Sequence, residues 1–174
     1  MDSYVKAVRW ATYRLTNQGI ISFVSNGSFL DSSSADGLRA SLYVEFKHLY
    51  IFNMRGNALG QGEIRKKEAG NVFGGGTRTT VAISILVKDG SDSHELHYHD
   101  IGDYLSQKEK LAIISDFGDI SSIDWQDITP DENNDWLNQR DKNFNNYRSL
   151  VSSENGVFTF SATGIVTSRD PWVY

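Results

Sequence analysis

The chain opens with apolar positions at helical spacing, which give way abruptly to a continuous apolar run. Residues 4–15 place most of their apolar side chains on one stripe and their basic side chains largely elsewhere, which predicts an amphipathic helix. Gly19 follows this helix, and glycine readily takes the left-handed conformation found beyond helix C-termini. The run over residues 20–24 comes next, and its nearly continuous apolar character predicts a strand buried on both faces.

A second helix and strand repeat this order, and a third strand comes later. Ser34 or Asp36 is placed to cap a helix that leads into a strand over residues 48–54. Residues 79–88 are β-branched or aliphatic almost throughout and predict the clearest strand of the sequence. Two helix–strand units followed by a further strand indicate an open α/β sheet.

The remaining segments are less regular. Residues 55–77 are polar and rich in glycine, and they are too long for an ordinary connection, which indicates a functional or mobile segment. Beyond residue 90 we predict only a short polar strand at 95–100 and a short helix at 108–115 before sequence without a clean period. We therefore divide the chain into an α/β domain, residues 1–90, and a less regular C-terminal extension, residues 91–174.

Composition and charge narrow the function classes. The 174 residues include no cysteine, which excludes disulfides, thiolate nucleophiles and zinc sites built on sulfur. No apolar run is long enough for a membrane helix, and the N-terminal residues lack the pattern of a signal peptide, so we expect a cytoplasmic protein without a membrane partner. The net charge of -5 argues against a protein that coats nucleic acid, so any DNA contact must be local.

The local charge of the long polar segment is opposite to that of the whole chain. Its two acidic residues are outnumbered by Arg55, Arg65, Lys66, Lys67 and Arg78. Arg55 and Arg78 lie beside predicted strands and are the strongest candidates for contact with DNA phosphate. The alternative is a solvated charged loop.

Three separated blocks of the sequence resemble one protein family. The blocks are GIISFVSNGSFLDSSSADGLRASLYVEFKHLYIFNMRGN, NVFGGGTRTTVAISILVK and WQDITPDENNDWLNQRD. Together they resemble the modification part of the Type ISP restriction-modification enzymes. These are single-chain bacterial proteins that combine nuclease, helicase-like translocase, adenine-N6 methyltransferase and target-recognition regions. The resemblance spans residues 4–174.

The resemblance implies a partial Rossmann-like methyltransferase sheet. Residues 20–26 would be its fifth strand, and residues 48–54 with 79–88 its closing antiparallel hairpin. The family's catalytic Asn-Pro-Pro-Tyr turn and its glycine-rich methyl-donor loop would precede Tyr4, and the sequence has no Pro-Pro pair. We therefore expect a fragment that is inactive alone, with no catalytic, cofactor-binding or metal-binding residue of its own.

The same resemblance implies the cofactor and the partners. The parent enzyme would use S-adenosylmethionine to methylate DNA adenine at N6. Its fragment would contact DNA and the remainder of the methyltransferase domain, and it would self-associate when isolated, because apolar residues meant for an absent neighbour would be exposed. The alternative function is a non-enzymatic DNA- or protein-binding module that uses the basic glycine-rich loop over residues 55–78.

Phe73 is the candidate contact to the target base. Enzymes that modify a base inside DNA flip it out and stack it on an aromatic side chain. The family places an aromatic or apolar residue for this purpose before the last hairpin strand, and Phe73 is similar in position. Gly74, Gly75 and Gly76 follow it and would allow close approach of the backbone to a nucleotide. The alternative is that Phe73 plugs the end of the sheet beside a flexible glycine turn.

Asn26 is the remaining candidate. It follows the first predicted strand, at the carboxyl end where open α/β sheets bind ligands. There it would either line the cleft of the intact enzyme or serve as a turn-forming side chain.

Two further sets of residues have a structural explanation. His97 and His99 occupy alternate positions on one strand face, with His94 nearby, and imidazoles at this spacing could bind a metal. No acidic or cysteine ligand makes such a site specific, so we assign no metal to them. The large aromatics beyond the strands would either stack on bases or pack between the sheet and its neighbour, and we favour packing: Trp125, Trp136 and Trp172.

Overall fold

A computed structural model of the chain describes residues 2–74, 76–137, 140, 143, 146–152 and 154–162. The chain divides into two compact units, Met1–Asn138 and Gln139–Tyr174. The first unit contains four helices, α1 (Ser3–Thr12), α2 (Asp36–Glu45), α3 (Gly62–Glu68) and α4 (Gln107–Phe117). Its strands are β1 (Gly19–Asn26), β2 (His48–Arg55), β3 (Val81–Lys88), β4 (Glu95–Asp100) and β5 (Gln126–Asp127). Short 3-10 turns occupy Gly27–Leu30, Ser33–Ala35 and Ile120–Ser122.

The five strands form one open mixed sheet in the order β1-β3-β2-β4-β5. β3 runs antiparallel to both of its neighbours, whereas β2 and β4 are parallel and β5 is antiparallel to β4. The predicted open α/β sheet is therefore confirmed, as is the antiparallel pairing of the segments at 48–54 and 79–88. The sheet also continues past residue 90, because the polar strand predicted at 95–100 is β4 and pairs with β2.

The two faces of the sheet carry separate apolar clusters. On one face, α1, α2 and the turn Gly27–Leu30 contribute to a core that contains Val8, Leu42, Phe46, Leu49, Ile51 and Leu86. On the other face, the part of the sheet beside α4 packs around Phe52, Met54, Val81 and Ile101. Alternating side chains of each strand point to opposite faces, so the central strands supply residues to both clusters.

The first strand differs from its prediction. We expected the run at residues 20–24 to be buried on both faces, but only Ile21 is buried. Ile20 and Val24 point to the other face and are 66% and 56% exposed. The reason is the position of β1, which among the described residues is an edge strand paired with β3 alone. Helix α4 covers the same face of the sheet farther along, over Phe52.

The helix boundaries also differ in detail. α1 ends at Thr12, before the predicted limit of residue 15. α2 begins at Asp36 after Ala35, which provides no side-chain cap, and Ser32 caps the preceding 3-10 turn instead of Ser34 capping the helix. The long polar segment holds the short helix α3, which sequence alone did not predict. The helix predicted at 108–115 is α4, whose start is fixed by a capping box between Ser106 and Glu109.

A buried ion pair attaches the segment after β5 to the first face. Arg39 is fully buried on α2, and its guanidinium donates to the carbonyl oxygens of Phe29, Ser32 and Asn134 and to the carboxylate of Asp135. Beside it, the ring of Trp136 packs edge-on against Phe29 at a centroid distance of 6.0 Å. These contacts attach residues 134–136 to the same unit as the sheet.

The second unit has little regular structure among its described residues. Val151 and Phe158 form an isolated parallel bridge, and Arg148 donates to the carbonyl oxygens of Asn155 and Gly156. No further strand or helix is present in the described part of this unit.

Candidate nucleic-acid interface

Three parallel strands end at one edge of the sheet. Asn26 closes β1, Arg55 closes β2 and Asp100 closes β4, because these strands share one direction. The start of β3 lies at the same edge, where the backbone N–H of Gly27 donates to the carbonyl oxygen of Thr80 at 3.0 Å. This is the carboxyl edge at which open α/β sheets bind ligands.

The side chain of Asn26 has a local structural role. Its Oδ1 accepts from the backbone N–H of Ser28 at 2.9 Å and also from the Ser28 hydroxyl, so it caps the 3-10 turn that follows β1. The geometry is that of an Asx turn, the second of the two roles predicted for this residue. Asn26 still places the turn at the carboxyl edge.

Asn71 organises the loop that carries the candidate base contact. Its Nδ2 donates to the carbonyl oxygens of Gly56 and Thr79, at 3.2 and 2.9 Å. Its Oδ1 accepts from the backbone N–H of Phe73 at 3.0 Å. One partly buried side chain therefore joins the end of β2, the approach to β3 and the loop between them.

Phe73 itself lies at the surface and is 62% exposed. The ring therefore does not plug the end of the sheet, and its contact with a target base stays a prediction. The next glycines take left-handed backbone conformations, with φ of +70° at Gly74 and +103° at Gly76, which a larger residue adopts only with strain. Gly75 lies outside the described residues. The backbone that follows the Phe73 ring therefore has left-handed conformations at Gly74 and Gly76.

Arg55 is held within the protein. Its Nε donates to the Asp100 carboxylate at 2.6 Å, and its Nη1 donates to Asp103. Asp100 also accepts from the hydroxyl of Tyr98 at 3.0 Å and from the amide of Asn53 at 3.3 Å. Burial of the Tyr98 phenol raises its pKa well above the usual range, so this hydroxyl remains a donor. Two carboxylates compensate the Arg55 charge, which weakens the case for Arg55 as a phosphate contact.

The other basic residues of the segment are also bonded within the protein, with the exception of Arg78. Lys67 pairs with Asp103, Lys66 pairs with Glu63, and Arg65 donates to the carbonyl oxygen of Ala69. Arg78 is exposed and, across the described ranges, forms no ion pair. Its backbone is fixed, since its carbonyl oxygen accepts from Ala58 N–H at 2.7 Å. Of the two arginines favoured for phosphate contact, Arg78 is exposed and without an ion pair among the described residues, whereas Arg55 is paired.

A second pair of residues supports the segment from inside. The Glu68 carboxylate accepts from the backbone N–H groups of Gly56 and Asn57, at 2.8 and 2.9 Å. Lys110 is fully buried, and its Nζ donates to the carbonyl oxygens of Met54 and Glu68. Burial lowers the pKa of Lys110. The segment after β2 therefore has a defined conformation, and the sequence analysis did not identify Glu68 and Lys110, which stabilise it.

The aromatic and imidazole candidates found structural partners. Trp125 is partly buried against Tyr50 and Phe52, and Trp136 is buried, so both pack within this chain. Packing against a neighbouring domain stays a prediction. Trp172 lies outside the described residues. The imidazoles of His94 and His99 bond to main-chain carbonyl oxygens, and only His97 of the three faces a carboxylate.

The chain matches several solved structures in both sequence and fold. No protein-family model and no curated protein matches the chain. Among solved structures, the chain is 60% identical to a nuclease-deletion mutant of the Type ISP restriction-modification enzyme LlaGI, in complex with a DNA substrate mimic, with a TM-score of 0.89. It is 34% identical, also with a TM-score of 0.89, to the ATP-dependent Type ISP restriction-modification enzyme LlaBIII bound to DNA. A DrdV–DNA complex is 37% identical with a TM-score of 0.85.

These matches cover almost all of this chain and a small part of the others. They span 98–99% of the chain but 16% of LlaGI, 12% of LlaBIII and 18% of DrdV. Within the described ranges, none of the helices combines the length and the apolar character that crossing a bilayer requires. The sequence resemblance is thus confirmed at the level of the family. The chain belongs to the Type ISP restriction-modification enzymes, as a stretch that corresponds to less than a fifth of their length.

Proposed function

We propose that this chain forms the base-side wall of the adenine-N6 DNA methyltransferase domain in a bacterial, cytoplasmic Type ISP enzyme. The observation that carries the proposal is the exposed ring of Phe73, whose backbone N–H is held by Asn71 at the carboxyl edge of the sheet. An exposed aromatic ring on a loop that Asn71 stabilises, followed by glycines, is suited to stacking against a flipped base. The arrangement needs no catalytic group on this chain.

The sheet supports the same proposal. A Rossmann-like methyltransferase sheet, as the family resemblance implies it, ends in a fifth strand followed by an antiparallel hairpin. The order β1-β3-β2, with β3 antiparallel to both neighbours, has this form. The free side of β1 and the exposed Ile20 and Val24 are then where the remainder of the domain continues the sheet and covers its face.

The methyl donor belongs to that remainder. In the proposed parent enzyme, S-adenosylmethionine supplies the methyl group, and the residues that bind it and perform the transfer precede this stretch. This chain contributes the wall against which the target adenine rests. It binds no cofactor alone in this proposal, and it is inactive alone.

Contact with the DNA backbone is assigned to Arg78. The three solved relatives are DNA complexes, and Arg78 is the exposed cation beside the Phe73 loop. Phosphate contacts of this kind orient the duplex without reading its sequence. With Arg55 paired to Asp100 and Asp103, the edge offers a focused contact instead of a broad basic surface.

A chimera tests the proposal in an intact enzyme. This chain replaces the matching stretch of LlaGI, and methylation of substrate DNA is measured with labelled S-adenosylmethionine. We expect the chimera to methylate DNA and the Phe73→Ala chimera to be slower by roughly ten- to hundredfold, because stacking on an aromatic side chain is worth about 1–3 kcal/mol per base. Phe73→Tyr retains the ring and should restore most of the rate.

Leu59→Ala is the matched control, since Leu59 is an exposed apolar residue of the same segment. It should leave the methylation rate unchanged. Equal rates for the Phe73→Ala and unmodified chimeras would refute the assignment of Phe73. The non-enzymatic module receives less support, because most basic groups of the segment are already paired or bonded within it.

A further inference from the structure

A group of imidazoles and carboxylates lies at the opposite edge of the sheet from the Phe73 loop. His48 begins β2 and Glu95 begins β4, and the two are direct neighbours in the parallel ladder. His97 lies two residues along β4 on the same face, beside Asp127 of β5. The strands bring these residues together from positions almost fifty apart in sequence.

One carboxylate oxygen lies between the two imidazoles. Glu95 Oε2 is 2.8 Å from His48 Nδ1 and 3.4 Å from His97 Nε2. The three potential ligand atoms all lie within 4.8 Å of one another. Two imidazoles and one carboxylate that converge in this way form the three-ligand set of an open metal site.

The outer nitrogens of both imidazoles are held by further carboxylates. His48 Nε2 is 2.9 Å from the Asp89 carboxylate, and His97 Nδ1 is 2.6 Å from the Asp127 carboxylate. With a metal bound at the inner nitrogens, each imidazole is neutral and its remaining N–H lies on the outer nitrogen. That N–H then donates to Asp89 in His48 and to Asp127 in His97. Carboxylates that orient metal-binding histidines in this manner are a recurrent feature of metal sites.

The surroundings also suit a cation. The ring of His97 stacks on Tyr50 at a centroid distance of 4.6 Å, which fixes its plane. The three carboxylates of Glu95, Asp89 and Asp127 give the group an excess of negative charge, which a divalent cation at the inner nitrogens would compensate. Glu95 is half-exposed and has room to turn its carboxylate towards an incoming ion.

We propose that His48, Glu95 and His97 form a binding site for a divalent transition-metal ion of the Zn²⁺ class. Mixed imidazole and carboxylate donors favour such ions over Mg²⁺ or Ca²⁺, which prefer oxygen alone. The site joins β2, β4 and the Asp127 end of β5, so the ion acts as a clamp on the outer part of the sheet. It is independent of the function proposed for the Phe73 loop.

Titration with Co²⁺ tests the site, because Co²⁺ occupies zinc sites and absorbs visible light when its coordination is tetrahedral or five-coordinate. We expect saturable absorption at one Co²⁺ per 174-residue chain, displacement by Zn²⁺ and not by Mg²⁺, and a higher Tm with Zn²⁺. His97→Gln and Glu95→Gln should each weaken binding at least tenfold. Asp127→Asn, which removes the carboxylate that orients His97 but no ligand atom, should weaken binding on the order of 10–100-fold.

His94→Gln and His99→Gln are the matched controls, since both imidazoles are nearby and bond to main-chain oxygen. They should bind Co²⁺ as the parent chain does. Circular dichroism of each variant shows whether it is folded, and the substituted side chains are partly exposed, so folding should be retained. Absence of saturable binding, or equal losses in the controls and in His97→Gln, would overturn the proposal.

Discussion

Asn71 Oδ1 accepts the backbone N–H of Phe73, while Asn71 Nδ2 donates to the carbonyl oxygens of Gly56 and Thr79. The position of the Phe73 backbone therefore depends on a side chain two residues before it. No other side chain of the described loop makes three such bonds to the main chain of this segment.

Replacement of this amide should loosen the loop before it affects the sheet. We expect Asn71→Ala to increase amide hydrogen exchange over residues 56–79 and to lower the free energy of unfolding by about 1–3 kcal/mol, because partly buried main-chain groups lose their partners. Exchange in β3 should change little. Asn57→Ala is the control, since Asn57 accepts only from Leu59 N–H nearby. Unchanged exchange around Phe73 would contradict the role of Asn71.

The two arginines predicted for phosphate contact should behave differently. Arg78→Gln should weaken DNA binding by the LlaGI chimera and reduce the slope of log affinity against log salt by about 1, as expected for one lost phosphate contact. Arg55→Gln should leave that slope nearly unchanged and lower stability instead, because it breaks the bonds to Asp100 and Asp103. Equal effects of both substitutions on the salt slope would contradict this division.

The ion pair between Arg39 and Asp135 should be the most sensitive polar contact of the fold. Arg39→Met removes the guanidinium that bonds the Asp135 carboxylate and the carbonyl oxygens of Phe29, Ser32 and Asn134. We expect a loss of about 3–5 kcal/mol in the free energy of unfolding. Chemical denaturation measures it, with Lys6→Met on the exposed side of α1 as the control. A cost within 1 kcal/mol of the control would show that the pair is dispensable.

The buried Lys110 should give stability a dependence on alkaline pH. Burial lowers its pKa in the folded chain, so the unfolded chain binds more protons between that lowered value and the unfolded value of about 10.4. Stability should therefore rise with pH through this window. The difference in unfolding free energy between the parent chain and Lys110→Met isolates the effect, because tyrosine ionisation contributes equally to both. A difference that is independent of pH would contradict the prediction.

The isolated chain should self-associate through β1. Its free strand edge and the exposed Ile20 and Val24 offer hydrogen-bonding groups and an apolar surface to a second copy. We expect Val24→Lys to shift association, followed by light scattering during gel filtration, to several-fold higher concentration. Val44→Lys on α2 replaces a residue that is just as exposed and should have no effect. Equal association of both variants would exclude β1 as the contact.

The strands were predictable from sequence because their apolar character is local. Residues 48–54 and 79–88 are rich in apolar and β-branched residues, and they became the two central strands. The polar strand predicted at residues 95–100 is β4, but the sequence did not predict its pairing with β2. Leu96 and Tyr98 are buried, whereas Glu95, His97 and His99 lie on the other face of the strand. Alternation shows that such a strand exists and not which neighbour it joins.

The site was harder to predict because its chemistry arises between distant residues. Phe73 and Arg78 could be named from the sequence, since an aromatic beside glycines and a basic residue beside a strand are local features. The partners of Arg55 lie 45 and 48 positions away, so the sequence could not show that two carboxylates bind its guanidinium. The same holds for His48 and Glu95, which the sheet register brings together over 47 positions.

The ion pairs of Arg55 also affect which step of DNA binding this edge would influence, the encounter with DNA or the release from it. Long-range attraction between a protein and DNA raises the rate of encounter and depends on unpaired positive charge. A surface whose cations are mostly matched by its own carboxylates adds little to that rate. Close contacts such as a stacked ring act after arrival and set how slowly the partner leaves. In the proposed enzyme, this edge would therefore control residence on the target adenine, and other surfaces would control the search for it.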